Sequence, residues 1–299
     1  MSLPKEEDLK KILPKNGPPI EEVFKYIEKY KNDLIVIKYG GNVFIDRNIF
    51  NNFISDLITL NKLGISIIVV HGGGPRIKKE LDKSNIQTKF IKGLRVTDEK
   101  VINIVEDVLI DFNIDIVNSL KKKGTEAISI NSKENNIIEV VPESKELGFV
   151  GKPNKINNNL IKNILEKKII PIISPLGLDK NNQTYNINGD TAAGAIAKSL
   201  KSRRLLLMTN IEGVLDKDKK LISEINSNTA NKMTIDGTIS GGMIPKIKTS
   251  IDAVNNGVTG VAIVDARTPH ACLFEIFTDK GAGTLIRKWK VWKKWNIFF

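Results

Sequence analysis

The chain has 299 residues, 41% hydrophobic and 27% charged, which is ordinary for a soluble globular protein and long enough for one large α/β domain or two lobes. The lone Cys272 excludes an intramolecular disulfide, no apolar run approaches the roughly 18 residues of a membrane span, and the charged, Pro-containing start lacks the apolar stretch of a secretory signal. The formal charge of +12 comes from lysines scattered along a Lys-, Asn- and Ile-rich chain, so it points to compositional drift and a general attraction for anions, with no nucleic-acid partner and no membrane partner. A cytoplasmic protein is expected.

In chain order, residues 20–31 place Ile20, Val23, Phe24, Ile27 and Tyr30 at helical spacing after the Gly17-Pro18-Pro19 breaker, which predicts an amphipathic helix whose apolar side is free to meet another subunit. A short apolar strand, Leu34 to Lys38, ends in Lys38-Tyr39-Gly40-Gly41. A helical pattern covers 47–62, and the strand Ile65 to Val70 runs into His71-Gly72-Gly73-Gly74-Pro75. Glycines there let backbone approach an anion closely, and a proline suits the first turn of a following helix. Gly93-Leu94-Arg95-Val96-Thr97-Asp98 then offers Thr97 or Asp98 as the cap of a helix over 98–122. Arg95 is left on the loop, where its planar fork suits a carboxylate.

Further strands follow at Ala127 to Ile130, Ile137 to Val141 and Ile169 to Ser174, with a helix over 157–167. Tyr185-Asn186-Ile187-Asn188-Gly189-Asp190-Thr191 opens a helix over 189–200 whose small residues allow close packing; Asp190 is a capping acid or an acid that orients lysines. After the strand Leu205 to Thr209, Gly241-Gly242-Met243-Ile244-Pro245-Lys246 delivers a lysine near the start of a helix over 245–256. A cation at that end opposes the helix dipole, so an anionic partner is inferred. A last strand covers Val261 to Asp265, and residues 287–299 alternate cations with Trp289, Trp292 and Trp295.

Strands that are apolar on consecutive positions and alternate with helices predict an α/β fold, a three-layer αβα sandwich with a mostly parallel central sheet. Ligands of such sheets sit beyond the carboxyl ends of the strands, where the glycine turns lie. Taken singly, a Gly-Gly pair is a tight turn, Asp190 a helix cap and Arg95 a surface bridge. Taken together and in order, IKYGGN, VVHGGGP, GLRVTD, YNINGD, MTNIEGV, DGTISGGMIPK and EIFTDKGAGTLI resemble the amino-acid kinase family and, within it, the N-acetylglutamate kinases, over nearly the whole chain. The one departure noted is Gly189, where the family often has Ala.

The resemblance implies ATP-dependent phosphorylation of the side-chain carboxylate of N-acetyl-L-glutamate, in arginine biosynthesis, on the carbamate kinase-like fold. It implies catalytic roles for Lys38, Lys246 and Asp190, and substrate contacts from Gly73, Gly74, Arg95 and Asn186. The nucleotide would meet Gly40, Gly41, Asn210, Gly213, Leu215, Gly241 and Gly242, with Mg²⁺ carried by ATP and no metal ligand from the protein. It implies an N-terminal extension over 1–31, an acyl-amino-acid and dimerisation lobe over 32–185, a nucleotide lobe over 186–286 and a tail over 287–299. The N-terminal helix resembles that of arginine-inhibited members, which implies L-arginine as inhibitor at Tyr26, Arg204, His270, Glu275 and Gly283, and a homo-oligomer built as a dimer and a trimer of dimers. Rival readings are another carboxylate or carbamate kinase of the family, or a non-catalytic nucleotide or arginine sensor. The chemistry needs no histidine: a carboxylate with a reference pKa near ~4.3 is already ionised at neutral pH and needs no general base. With only two histidines in the chain, histidine-based catalysis is not expected.

Overall fold

The computed structural model describes residues 4–31, 33–40 and 46–288. Gly41 and the tail aromatics from Trp289 onward lie outside the described residues. The N-terminal helices α1 (Glu6–Ile12) and α2 (Ile20–Tyr30) lead into β1 (Leu34–Tyr39), α3 (Arg47–Lys62), β2 (Ser66–His71) and α4 (Gly74–Lys83). A small hairpin of β3 (Phe90–Ile91) and β4 (Leu94–Arg95) precedes the long α5 (Glu99–Lys121). Then come β5 (Ala127–Ile130), β6 (Ile138–Pro142), β7 (Gly151–Ile156), α6 (Asn158–Glu166), β8 (Ile170–Ile173), β9 (Leu176–Leu178) and β10 (Thr184–Asn186). The C-terminal part runs α7 (Gly189–Ser199), β11 (Arg204–Thr209), β12 (Glu224–Asn226), α8 (Ser227–Ile235), α9 (Met243–Asn255), β13 (Gly260–Asp265), α10 (Ala271–Phe277) and β14 (Gly283–Arg287).

The central sheet has eight strands in the order β12-β14-β13-β11-β1-β2-β8-β5. All neighbours from β5 to β13 pair in parallel; β14 is antiparallel to β13 and parallel to β12. Alternation along the strands divides the interior in two. Ile35, Ile37 and Tyr39 of β1, Ile67 and Val69 of β2, and Leu206 and Met208 of β11 join one core with α2, α3 and α10. Val36, Ile68, Val70, Leu205 and Leu207 face the other, under α6, α7 and α9. Both faces are thus covered, which is why the strands read as continuous apolar runs, and the expected three-layer αβα sandwich with a mostly parallel sheet is what forms.

Two expectations are corrected. The run at Ile137–Val141 becomes β6, but it belongs to a separate four-stranded sheet, β10-β9-β6-β7, not to the central one. Its exposed Glu139 and Val141 alternate with buried Ile138 and Val140, the pattern of a sheet covered on one face. The apolar side of α2 is not free: Val23, Tyr26, Ile27 and Tyr30 are buried, and α2 packs against α10 of the same chain. Short helices and strands such as α8, α10 and β12 were not expected from the sequence pattern.

Candidate active site

The carboxyl ends of the parallel strands lie along one edge, and the first two glycine turns leave it side by side. Gly72 N–H donates to the Tyr39 carbonyl at 2.8 Å, tying the turn after β2 to the end of β1. Lys38 is the penultimate residue of β1, and its side chain folds back over Gly40: a Cβ built at Gly40 would fall 1.8 Å from Lys38 Nζ. Glycine at 40 is therefore what makes room for the ammonium group. At Gly73 a Cβ would meet Leu109 Cδ2 at 2.6 Å, so the turn before α4 also requires a bare backbone.

Asp190 occupies the first turn of α7. The cap of that helix is Asn188, whose side-chain oxygen accepts from the N–H groups of Asp190 and Thr191, so the Asp190 carboxylate is left for other work. α7 and α9 pack closely because Gly194 has no side chain; a Cβ there would meet Thr249 Cγ2 at 2.6 Å. That approach brings the two helix starts together. Lys246 Nζ donates to Asp190 Oδ2 at 2.7 Å, and Lys38 Nζ stands 2.9 Å from Asp190 Oδ1. The second contact is an ion pair without hydrogen-bond alignment.

All three groups are largely withdrawn from water. Burial by itself raises the Asp190 carboxyl, but the Lys38 and Lys246 ammonium groups overcome it and hold Asp190 well below the usual carboxylate range. Burial pulls Lys38 below its ordinary value, with Lys246 adding to the effect and Asp190 opposing it. Two cations share one anion, and Lys38 of this cluster lines a cavity of about 710 Å³. Lys38, the Gly72–Gly74 turn, Arg95, Asn186 and Gly189 line that cavity. Arg95 Nη1 donates to Thr88 Oγ1 at 2.7 Å, and its guanidinium lies over the Phe90 ring, 4.7 Å from the centroid. Asn186 Nδ2 donates to Thr97 Oγ1 at 3.4 Å. Asp98 rather than Thr97 caps α5, accepting from the Lys100 and Val101 N–H groups. Gly189 opens the helix here without strain, and a Cβ on it would stand 3.2 Å from Lys38 Cε.

A second cavity, of about 590 Å³, lies beyond β11 and the start of α9, lined by Asn210, Gly213, Leu215, Thr238, Ser240 and Met243. Gly241 and Gly242 lie between Ser240 and Met243 and are exposed, with open space where a Cβ would project. A third, of about 220 Å³, is formed by α2, α10 and β14 and lined by Tyr26, Arg204, Glu275 and Gly283, with Lys29 and Arg287 alongside. His270 is not among its lining residues. It sits at the far end of α10 in a left-handed conformation, its Nδ1 2.7 Å from Asp56 Oδ1. Sequence reasoning missed Thr88, Phe90 and Asn188, all at the first cavity, because the hairpin and the cap act through tertiary placement rather than through a motif of their own.

Residues 33–265 match the model of the amino acid kinase family. An acetylglutamate kinase of Pelagibacter ubique is 55% identical over 288 residues, covering 96% of this chain and 100% of that one. Among solved structures, the smu.665 protein of Streptococcus mutans superposes with a TM-score of 0.75 at 31% identity, covering 85% of this chain and 98% of its own. Carbamate kinase from Giardia lamblia shares the fold at a TM-score of 0.64 and 15% identity, covering 86% of this chain and 98% of its own.

Proposed function

The chain belongs to the amino acid kinase family, and from that premise we propose that it is an acetylglutamate kinase, transferring the γ-phosphoryl group of ATP to the side-chain carboxylate of N-acetyl-L-glutamate in arginine biosynthesis. The observation that carries the mechanism is the Asp190 carboxylate shared by two lysines at the edge of a glycine-walled cavity.

The acceptor carboxylate is ionised at neutral pH, so one of its oxygens attacks the γ-phosphorus directly and ADP leaves, giving an acyl phosphate with no proton to move. The obstacle is bringing an anion up to a polyphosphate. Lys38 and Lys246 supply positive charge to the transferring group, and Asp190 fixes both lysines before the reaction begins, so little reorganisation is needed at the transition state. The N–H groups of Gly73 and Gly74 hold the reacting carboxylate, while Arg95 and Asn186 hold the α-carboxylate. The nucleotide lies over residues 186–286, against Asn210, Gly213, Leu215, Gly241 and Gly242, with Gly40 near its phosphates; residues 32–185 carry the acyl amino acid. Among the described residues no group of three or more His, Cys, Asp or Glu side chains converges, and both Asp190 oxygens are taken by lysines. Mg²⁺ would be brought by the nucleotide. When bound it neutralises phosphate charge.

The third cavity supports L-arginine as a feedback inhibitor. It offers a buried Arg204 guanidinium for an α-carboxylate and a buried Glu275 carboxylate for a cationic end. Burial raises the Glu275 carboxyl, and Arg204 and Arg287 draw it back. The protein assembles as dimers and as a trimer of dimers, and works in the cytoplasm; light scattering with and without arginine tests the assembly. No helix of the described residues is long and apolar enough to cross a membrane.

ATP turnover with Mg²⁺ across N-acetyl-L-glutamate, L-glutamate, L-aspartate and bicarbonate plus ammonia, with hydroxylamine trapping the acyl phosphate, tests the activity. Hydroxamate should form mainly from N-acetyl-L-glutamate, and Lys246→Ala should abolish it. Preference for another acceptor overturns the named substrate, and ATP binding without turnover overturns the enzyme reading.

A further inference from the structure

His71 is fully buried between the active-site turn and the interior, and it is not among the residues lining the three cavities described above. Its ring meets Phe112 edge-on at 4.9 Å. Its two nitrogens have different partners. Nδ1 is 3.1 Å from the Gly72 carbonyl oxygen, and Nε2 is 3.3 Å from Ser174 Oγ. Ser174 Oγ in turn accepts from Asn113 Nδ2 at 3.0 Å. The direction of this chain follows from its ends. Asn113 Nδ2 also reaches the Ile172 carbonyl at 2.8 Å and the Ile130 carbonyl at 3.4 Å, so the amide nitrogen, not the oxygen, must face them. At the other end the Gly72 carbonyl can only accept, which puts the ring proton on Nδ1. Nε2 is then a bare acceptor, and the Ser174 hydroxyl must donate to it rather than to the Leu109 carbonyl 3.4 Å away. Burial lowers the His71 pKa to about 4, which keeps the ring neutral and preserves this arrangement at physiological pH.

We propose that His71 is a positioning residue for the phosphoryl transfer: the chain from Asn113 through Ser174 to His71 fixes the Gly72–Gly73 peptide so that the Gly73 N–H points at the reacting carboxylate. The inference rests on the acetylglutamate kinase reading, in which that N–H holds the nucleophile. In a planar trans peptide the C=O and the next N–H point in opposite directions. Pinning the Gly72 oxygen from the interior therefore aims the Gly73 hydrogen at the cavity. Among the described residues no other hydrogen bond holds that peptide. Gly72 and Gly73 have no side chains, and the Gly72 N–H that binds Tyr39 belongs to the preceding peptide. A glycine turn is otherwise the segment with the most backbone freedom to lose. The buried chain is anchored in β5, β8 and α5, so the orientation is inherited from the sheet itself.

Two substitutions separate the ring's two contacts. His71→Asn keeps an N–H donor at the position of Nδ1, and His71→Gln keeps a polar group only at the position of Nε2. A donor that holds the nucleophile acts through its positioning, and a misplacement of about 1 Å can cost about 10²-fold. We expect H71Q to lose roughly 10- to 100-fold in kcat with the KM for ATP unchanged, and H71N to recover most of that loss. Equal losses in both variants, or full kcat in H71Q, would overturn the proposal, since a purely packing role does not distinguish them. Should H71Q fail to fold, nitrogen-15 NMR of the wild-type ring decides: a neutral ring with its proton on Nδ1 and a bare Nε2 supports the proposal, whereas a proton on Nε2 overturns it. Wild-type turnover of N-acetyl-L-glutamate, measured alongside, reports on the activity itself, so the failure of either idea is visible separately.

Discussion

At the scale of single residues, Asp190 has two tasks that one substitution exposes. It orders the lysines, and it neutralises them in a setting where an uncompensated ammonium is costly. Asp190→Asn keeps the shape and removes the charge, so the fold should survive with kcat lowered by at least about 10²-fold, the scale of a lost preorganised electrostatic group. The same change should cost about 3 kcal/mol in urea unfolding at pH 7, the low end for breaking a buried pair. Because the folded Asp190 pKa is depressed, its contribution is present above the unfolded value near ~3.9 and is lost as pH falls toward the folded one. The gap between wild type and variant should therefore close as pH drops below about 4. A gap that widens in acid would mean that the carboxylate is not the lysines' counter-charge. Gly40 gives a second, sharper case. Gly40→Ala places a methyl where Lys38 Nζ now sits, so the ammonium must leave Asp190. Activity should fall to near the Lys38→Ala level while circular dichroism stays native; an active G40A variant would show that Lys38 works from some other position.

At the scale of elements, α10 shows how a short helix is secured. Its N-terminus starts at a His270 with positive φ, and Asp56 of α3 reaches across to accept from His270 Nδ1 at 2.7 Å, with the nearby Cys272 and Leu273 N–H groups also drawing its carboxyl down. Burial raises the Asp56 carboxyl to about 6 even though these donors pull it down. Asp56→Ala would strand His270 Nδ1–H in the core, costing about 1–3 kcal/mol and lowering the unfolding midpoint by several degrees in calorimetry; an unchanged midpoint would mean that the clamp contributes nothing. Little of this could be read from the sequence. The seven residues of α10 show no helical periodicity to speak of, and its anchor lies more than two hundred positions away in the chain. The same limit explains β6, whose residues announce a strand but not which sheet it joins, and α2, whose apolar stripe announces burial but not against whom. The legible parts were those where chemistry is local: Lys38 before Gly40, the Gly72–Gly74 turn after a strand, Asp190 and Lys246 at helix starts. Their convergence on one carboxylate came from the ordered motifs, and Gly194, which sets the distance, was visible there only as one small residue among several.

At the scale of the whole molecule, the question is how a cavity made of α2, α10 and β14 could speak to the transfer site. β14 pairs with β13, β13 with β11, and β11 with β1, whose end carries Lys38, so the third cavity and Lys38 hang on one continuous sheet. α10 spans the same gap, carrying Glu275 at the cavity and His270 at the Asp56 clamp on α3. An inhibitor bound there acts only through a difference in affinity between two states, and by reciprocity substrate must weaken arginine binding by the factor with which arginine weakens substrate. The recognition chemistry makes this testable without presuming the path. L-citrulline matches arginine in size but replaces the guanidinium with a neutral ureido group. A hydrogen bond to a charged group is worth about 1.5–3 kcal/mol, so citrulline should need at least roughly tenfold more ligand for half inhibition. Glu275→Gln should raise the arginine requirement by a similar factor and should leave citrulline's nearly unchanged, because the two modifications remove the same charge pair. Losses that simply add in the double combination would show that Glu275 does not face the guanidinium, and the cavity would then have to be assigned to a different ligand or a different orientation of this one.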